Sequence, residues 1–173
     1  GTLNGADWTP QGRFGNALSF DGSSDTVRVP GSAALNVGSA MTLSAWVQPT
    51  IHQDGWSTIV HRQAENYFLT AAGDTDLRPA AGGSIGGSTT VVQAPAAIPV
   101  GTWSYVAVTY DGATLRLYVN GAQVATRDTG GRDMRDIHVP GDFLLIRIHL
   151  VVFIRLQAAF SRQPRIALAH KVQ

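Results

Sequence analysis

Hydrophobic and polar positions alternate one for one along much of this chain, which is the period of a pleated strand and not of a helix. The clearest run is TWSYVAVTYDGATLRLYVNGAQVATR, from Thr102 to Arg127. Trp103, Tyr105, Ala107 and Thr109 alternate with Ser104, Val106, Val108 and Tyr110; Leu115, Leu117 and Val119 then alternate with Arg116 and Tyr118. Asp111-Gly112 and Asn120-Gly121 separate the runs. Both dipeptides adopt the positive φ of tight hairpins, whose twist matches that of the flanking strands. The pattern predicts a three-stranded antiparallel meander.

The same period recurs upstream. In DTVRVP, Val27 and Val29 oppose Arg28 before Pro30 ends the run. In MTLSAWVQP, Met41, Leu43, Ala45 and Val47 oppose Thr42, Ser44, Trp46 and Gln48. One face of that strand is aliphatic and the other carries Trp46, so both faces are expected to be covered, with Trp46 and Trp103 read as core residues. STIVHRQ and NYFLTAA read as strands around an Ala64-Glu65 turn, and TTVVQA as a further short strand. AAGGSIGGS, from Ala80 to Ser88, reads as a flexible loop. Strands spaced roughly ten residues apart predict an all-β chain, either a sandwich of two antiparallel sheets or a jelly roll.

Composition supports this reading. The 173 residues include 19 Gly but only one Glu (Glu65) and one Lys (Lys171), the residue types that usually coat helices. The absence of Cys excludes disulfides and thiolate chemistry. Arg147, His149 and Arg155 interrupt the most apolar run, so neither a membrane span nor a signal peptide is expected within this sequence. A net charge of +1 gives no field that would gather nucleic acid.

That total conceals a break. Residues 1–131 hold six Arg against eight Asp and one Glu, a net charge of −3. Residues 132–173 hold six Arg and one Lys against three Asp, a net charge of +4, with one glycine against eighteen before them. The expected organisation is a folded domain over 1–131 and an anomalous apolar and basic tail over 132–173. The tail is read as out-of-frame or fused sequence. If it folds, FLLIRIHL and VVFIRLQ would act as substitute strands at exposed sheet edges, and those edges or the tail itself would offer a route to a homo-oligomer.

GRFGNALSFDG, DTVRVP, MTLSAWVQP and GTWSYVAVTYDGATLRLYVNGAQVA, in that order, resemble the laminin-G-like, concanavalin A-like jelly-roll superfamily, in the form found in large secreted bacterial proteins. The resemblance covers roughly Gly1 to Gly130. It departs at the start, where a strand upstream of TLNGADW is expected, and again after Gly131. It implies a non-catalytic, lectin-like module that binds carbohydrate or a cell surface, cut from a larger extracellular protein. A structural spacer without a ligand and a degenerate glycoside hydrolase are the alternatives.

The residues favour recognition over catalysis. Glycosidases need two carboxylates facing each other across the sugar. Here Glu65 stands in a turn, and Asp74 with Asp76 in a polar loop, so no catalytic residue is assigned. His52, His61, His138, His149 and His170 are scattered, with no Gly-x-Ser-x-Gly nucleophile elbow. The candidate ligand site is IHQDGWSTIVHRQAENYF, where Trp56 offers an aromatic platform among His52, Asp54, His61, Asn66 and Tyr67. Asp21 and Asp25 in DGSSD are the candidate calcium ligands, with service to their own turn as the competing role.

Overall fold

Val47, Ala45, Leu43 and Met41 occupy alternate positions of one nine-residue strand, and all four are buried. A strand patterned in this way needs a second layer over its apolar face. The structure, a computed structural model, describes residues 1–51, 55–62, 66–73, 77–134, 143–146 and 150–154. Its strands in chain order are β1 (Thr2–Asn4), β2 (Asp7–Gly12), β3 (Gly15–Ser19), β4 (Thr26–Pro30), β5 (Met41–Pro49), β6 (Ser57–Arg62), β7 (Tyr67–Ala72), β8 (Ala80–Ile85), β9 (Ser88–Gln93), β10 (Ser104–Tyr110), β11 (Thr114–Val119), β12 (Ala122–Asp128), β13 (Phe143–Ile146) and β14 (Leu150–Ile154). A single 3-10 turn, Ala33–Leu35, is the helical element among the described residues.

The strands form two antiparallel seven-stranded sheets. Sheet A runs β1-β4-β13-β6-β7-β8-β9, and sheet B runs β12-β11-β10-β5-β14-β3-β2. Sheet A contributes Val27, Ile59, Val60, Leu69, Ala81, Val92 and Leu144 to the core; sheet B contributes Leu43, Val47, Val106, Val108, Leu115 and Leu117. The chain is therefore an all-β sandwich of the expected jelly-roll kind. The β10–β12 meander forms in the predicted order, and its Asn120-Gly121 turn has φ of 50° and 85°. Asn120 also closes the strand ends: its Oδ1 accepts from Tyr105 N at 2.8 Å and its N–H donates to Tyr105 O at 2.7 Å.

AAGGSIGGS is not a loop. Ala80–Ile85 forms β8, paired with β7 on one side and β9 on the other. A Cβ on Gly82 would lie 2.1 Å from Thr90 O, and one on Gly83 2.3 Å from Asn66 O. These glycines permit close packing of neighbouring backbones, a role that composition alone confuses with flexibility. Gly86 and Gly87, with φ of 60° and 85°, supply the tight turn into β9.

The described strands of the segment after Gly131 lie inside the sheets, not at their margins. β13 sits between β4 and β6, and β14 between β5 and β3. The outermost strands are β1 and β9 in sheet A and β12 and β2 in sheet B. A slot between two strands satisfies the backbone of the inserted segment on both sides, whereas an outer edge satisfies one side only. Leu144, opposite Val29 and Arg62 in the register, is buried in the core.

Two outcomes follow from this architecture. A chain ended at Gly131 would leave β4 and β6, and β5 and β3, facing empty slots. Thermal unfolding of that truncation should lose its cooperative transition; an unchanged melting curve would show that β13 and β14 are dispensable. The second outcome concerns the β10–β11 turn. Asp111 accepts from Arg116 Nη1 at 2.5 Å and, through Oδ1, from Thr114 N at 2.7 Å and Ala113 N at 3.0 Å. The Arg116 hydrogen bond, followed by the two backbone N–H groups, holds its carboxyl down at about 2, against an ordinary value of 3.8. Above about pH 4 the carboxylate is ionised in both folded and unfolded chains, and its stabilisation is fully present; as pH falls toward 2 the unfolded form protonates first and that stabilisation is lost. The melting-temperature gap between the protein and Asp111→Asn should therefore be widest at neutral pH and close between pH 4 and pH 2, as read by circular dichroism.

Candidate functional site

The outward residues of sheet B form ordered rows. Trp46 on β5 faces Tyr105 on β10; the next row is Ser44, Ala107 and Tyr118, and the one after it Thr42, Thr109, Arg116 and Thr126. Trp46 is thus not a core residue. It stands half-buried on the solvent side of the sheet, with its ring centroid 5.4 Å from that of Tyr105. The tight β2–β3 turn carries Phe14 over the same face, 58% exposed and edge-on to Trp46 at 5.6 Å. Arg13 beside it places its guanidinium 4.9 Å from the Phe14 centroid and 5.2 Å from that of Trp46. Trp103 precedes β10 and is also half-buried.

The result is an aromatic run, Phe14–Trp46–Tyr105, beside a floor of the small residues Ser44 and Ala107, with the half-buried Tyr118 beyond. Gln48 lies at one end, its Nε2 donating to Gly101 O at 2.8 Å. The Arg116–Asp111 ion pair lies toward the other end of the face. Flat rings with polar groups around them suit ligands that combine an apolar face with hydroxyls. The sequence held a signal for this face in GRFGN, an aromatic residue in a tight turn where no core contact requires it, but proximity along the chain does not connect it to Trp46.

The site expected around Trp56 is only partly assembled. Trp56 is 53% exposed and packs edge-on against Phe68 at 5.8 Å. His61 pairs with Phe68 in the register, so both lie on the outer face of sheet A. Tyr67 and Asn66 do not join them, because both are buried. The Tyr67 hydroxyl donates to Leu35 O at 2.9 Å, and Asn66 O accepts from Ser84 N at 3.3 Å. The cause is the pleat: Phe68 faces outward, so its neighbour Tyr67 faces the core. His52 and Asp54 lie outside the described residues, as do Glu65, Asp74 and Asp76. Arg62, 1% exposed, points into the interior, where its Nη2 donates to Asn36 Oδ1 at 3.2 Å.

Asp21 and Asp25 close one turn together. Asp21 Oδ1 accepts from the backbone N–H groups of Ser23, Ser24 and Asp25 at 2.8–3.0 Å, and its Oδ2 accepts from Ser24 Oγ at 2.9 Å. Asp25 Oδ2 accepts from Asp21 N at 2.7 Å, while its other oxygen lies where a Cβ on Gly5 would fall. The backbone donors, Ser23 first, hold the Asp21 carboxyl far below the usual carboxylate range. Donors point at both Asp21 oxygens and at Asp25 Oδ2, so the pair serves its own turn, the competing role that the sequence offered. Among the described residues no three His, Asp or Glu side chains cluster to hold a metal, and no helix is long and apolar enough to cross a membrane.

Solved structures share this sandwich. Domain 4 of AbnA, a GH43 extracellular arabinanase from Geobacillus stearothermophilus solved in complex with arabinotriose, aligns over 92% of this chain and 78% of its own, with a TM-score of 0.63 and 18% identity. The binding domain of Paraclostridial Mosquitocidal Protein 1 aligns over 92% of this chain and 44% of its own, with a TM-score of 0.62 and 13% identity. The carbohydrate binding module CBM66 from Bacillus subtilis aligns over 90% of this chain and 91% of its own, with a TM-score of 0.50 and 13% identity. At these identities the likeness is one of fold. No curated protein matches the chain by sequence. A laminin G family model, described as the concanavalin A-like lectin/glucanases superfamily, matches residues 21–146, a span that crosses Gly131 and includes β13. The chain belongs to the concanavalin A-like lectin/glucanases superfamily.

Proposed function

We propose that this chain is a non-catalytic carbohydrate-recognition module of an extracellular protein, and that it holds a glycan against the outer face of sheet B. The observation that carries this reading is the continuous Phe14–Trp46–Tyr105 run on the outer face of sheet B, with Phe14 exposed and Trp46 and Tyr105 half-buried, beside the buried Ser44 and Ala107 and the half-buried Tyr118. A pyranose or furanose ring presents a weakly apolar C–H face that stacks on such rings, while its hydroxyls reach the polar rim. Arg13 restrains the Phe14 and Trp46 rings through their faces, so less side-chain freedom is lost on binding. The arabinotriose bound to the arabinanase domain and the name of the Bacillus subtilis module support the ligand class. The indole of Trp56, exposed on the opposite sheet, favours a second reading in which the glycan binds there beside His61.

The two readings separate by mutation. Arabinotriose and a panel of neutral oligosaccharides should bind in calorimetry, and Trp46→Ala should weaken that binding by about tenfold or more, which corresponds to about 1.4 kcal/mol. Trp56→Ala should leave it unchanged. The reverse pattern would move the site to sheet A, and silence across a glycan array would make the domain a spacer.

A further inference from the structure

The two sheets meet along one side of the sandwich, where β9 at the margin of sheet A runs beside β12 at the margin of sheet B. A cleft of about 320 Å³ opens there, lined by Thr90 from β9 and by Arg127, Asp128, Thr129, Gly130 and Arg132 from the end of β12 and the turn beyond it. That volume is at the lower end of ligand pockets, about 300–1,000 Å³. The cleft lies away from the aromatic face of sheet B and from Trp56.

Two arginines, Arg127 and Arg132, line it. Each is held by the framework. Arg127 donates from Nη1 to Val91 O at 3.3 Å, which ties its guanidinium across the seam between the sheets. The aliphatic stem of Arg132 lies over the β8–β9 turn, in space that only a glycine leaves free: a Cβ on Gly86 would come within 2.4 Å of Arg132 Cδ. The Arg132 backbone is fixed as well. Its carbonyl accepts from the hydroxyl of the buried Tyr110, and the adjacent Asp133 O accepts from Gly86 N at 3.1 Å. Among the described residues neither guanidinium forms an ion pair. Asp128, the acid of this wall, is turned back into its own loop, where its Oδ1 accepts from Gly130 N at 2.8 Å.

Two arginines lining one cleft, one with its guanidinium tied to β9 and the other with its stem packed over the β8–β9 turn, offer the paired N–H donors that a carboxylate accepts. We propose that the cleft is a subsite for the carboxylate of an acidic saccharide, a uronate-type sugar gripped between Arg127 and Arg132 with its ring against Thr90. The carboxylate part stands on the arginine geometry alone; the saccharide part rests on the recognition function proposed above.

Calorimetry of the whole chain with trigalacturonate, neutral galactotriose and a triglutamate peptide separates these parts. Trigalacturonate should bind at low salt and weaken as salt rises. Arg127→Gln and Arg132→Gln should each weaken it by about tenfold, with melting temperatures unchanged because both side chains are exposed. Arg127→Lys and Arg132→Lys, which keep the charge but lose the fork, should recover only part of the loss. Trp46→Ala should leave this binding intact, so failure of the aromatic-face site and failure of this subsite read differently. Equal binding of triglutamate would overturn the saccharide part and leave a general carboxylate site. Absence of trigalacturonate binding, or binding indifferent to both arginines, would overturn the proposal.

Discussion

The pleat of β5 carries both the interior of this molecule and its most distinctive surface. Every second residue, Met41, Leu43, Ala45 and Val47, enters the layer between the sheets, and the intervening Thr42, Ser44, Trp46 and Gln48 face outward. β10 fixes the register through seven consecutive pairs, from Ser104–Val47 to Tyr110–Met41. Because the side-chain period is two, a slip of one residue would exchange the faces, driving Trp46 into the core and Val47 into water. The aliphatic core thus determines where the indole stands. A mutation that loosens β5 packing would disturb the proposed recognition face without touching its rings, and stability and binding must be measured together on any variant of this strand.

A sandwich buries the inner faces of its sheets and leaves two kinds of unburied surface, outer faces and edge seams. The two sites proposed for this chain fall on one of each. The outer face of sheet B presents rings and hydroxyls, and the β9–β12 seam presents guanidinium groups. The division is physical: rings need a flat, regular lattice to line up, and the pleat supplies it. Charged forks need anchoring from two directions, and a seam between sheets supplies that, with β9 holding Arg127 and the β8–β9 turn supporting Arg132. Shallow sites of this kind bind weakly one at a time, and two of them engaging separate units of one polymer gain through effective concentration.

The sequence was most informative where local chemistry sets local geometry. Asn120-Gly121 and Asp111-Gly112 announce the meander, and the alternation of Val27, Arg28 and Val29 gives the faces of β4 correctly. It misled where the deciding contact is distant. AAGGSIGGS looks flexible until Thr90 O and Asn66 O are seen to press against its glycines. Alternation puts Trp46 opposite the core face of β5, but it cannot say whether a second layer covers that side; its cover is the Arg13–Phe14 turn and Tyr105. Around Trp56, closeness along the chain counted Tyr67 and Asn66 as neighbours, although both are buried. Arg127 reaches Val91 O across the seam to β9, a partner that no sequence spacing marks.

The composition break at Gly131 illustrates what a sheet demands of its strands. Glycine content and charge sign both change there, yet the two described strands beyond it occupy interior slots in both sheets. A slot between strands asks for an extended backbone with its N–H and C=O groups free and for β-forming side chains of tolerable size; it does not ask for a particular sequence. FLLI and LVVFI meet those terms while having little in common with the glycine-rich body. Their effect on the surface is more specific. β14 lies directly beside β5, with Val151 opposite Gln48 and Phe153 opposite Trp46 in the register. The backbone of this segment therefore flanks the strand that carries Trp46, and it closes sheet B between β5 and β3.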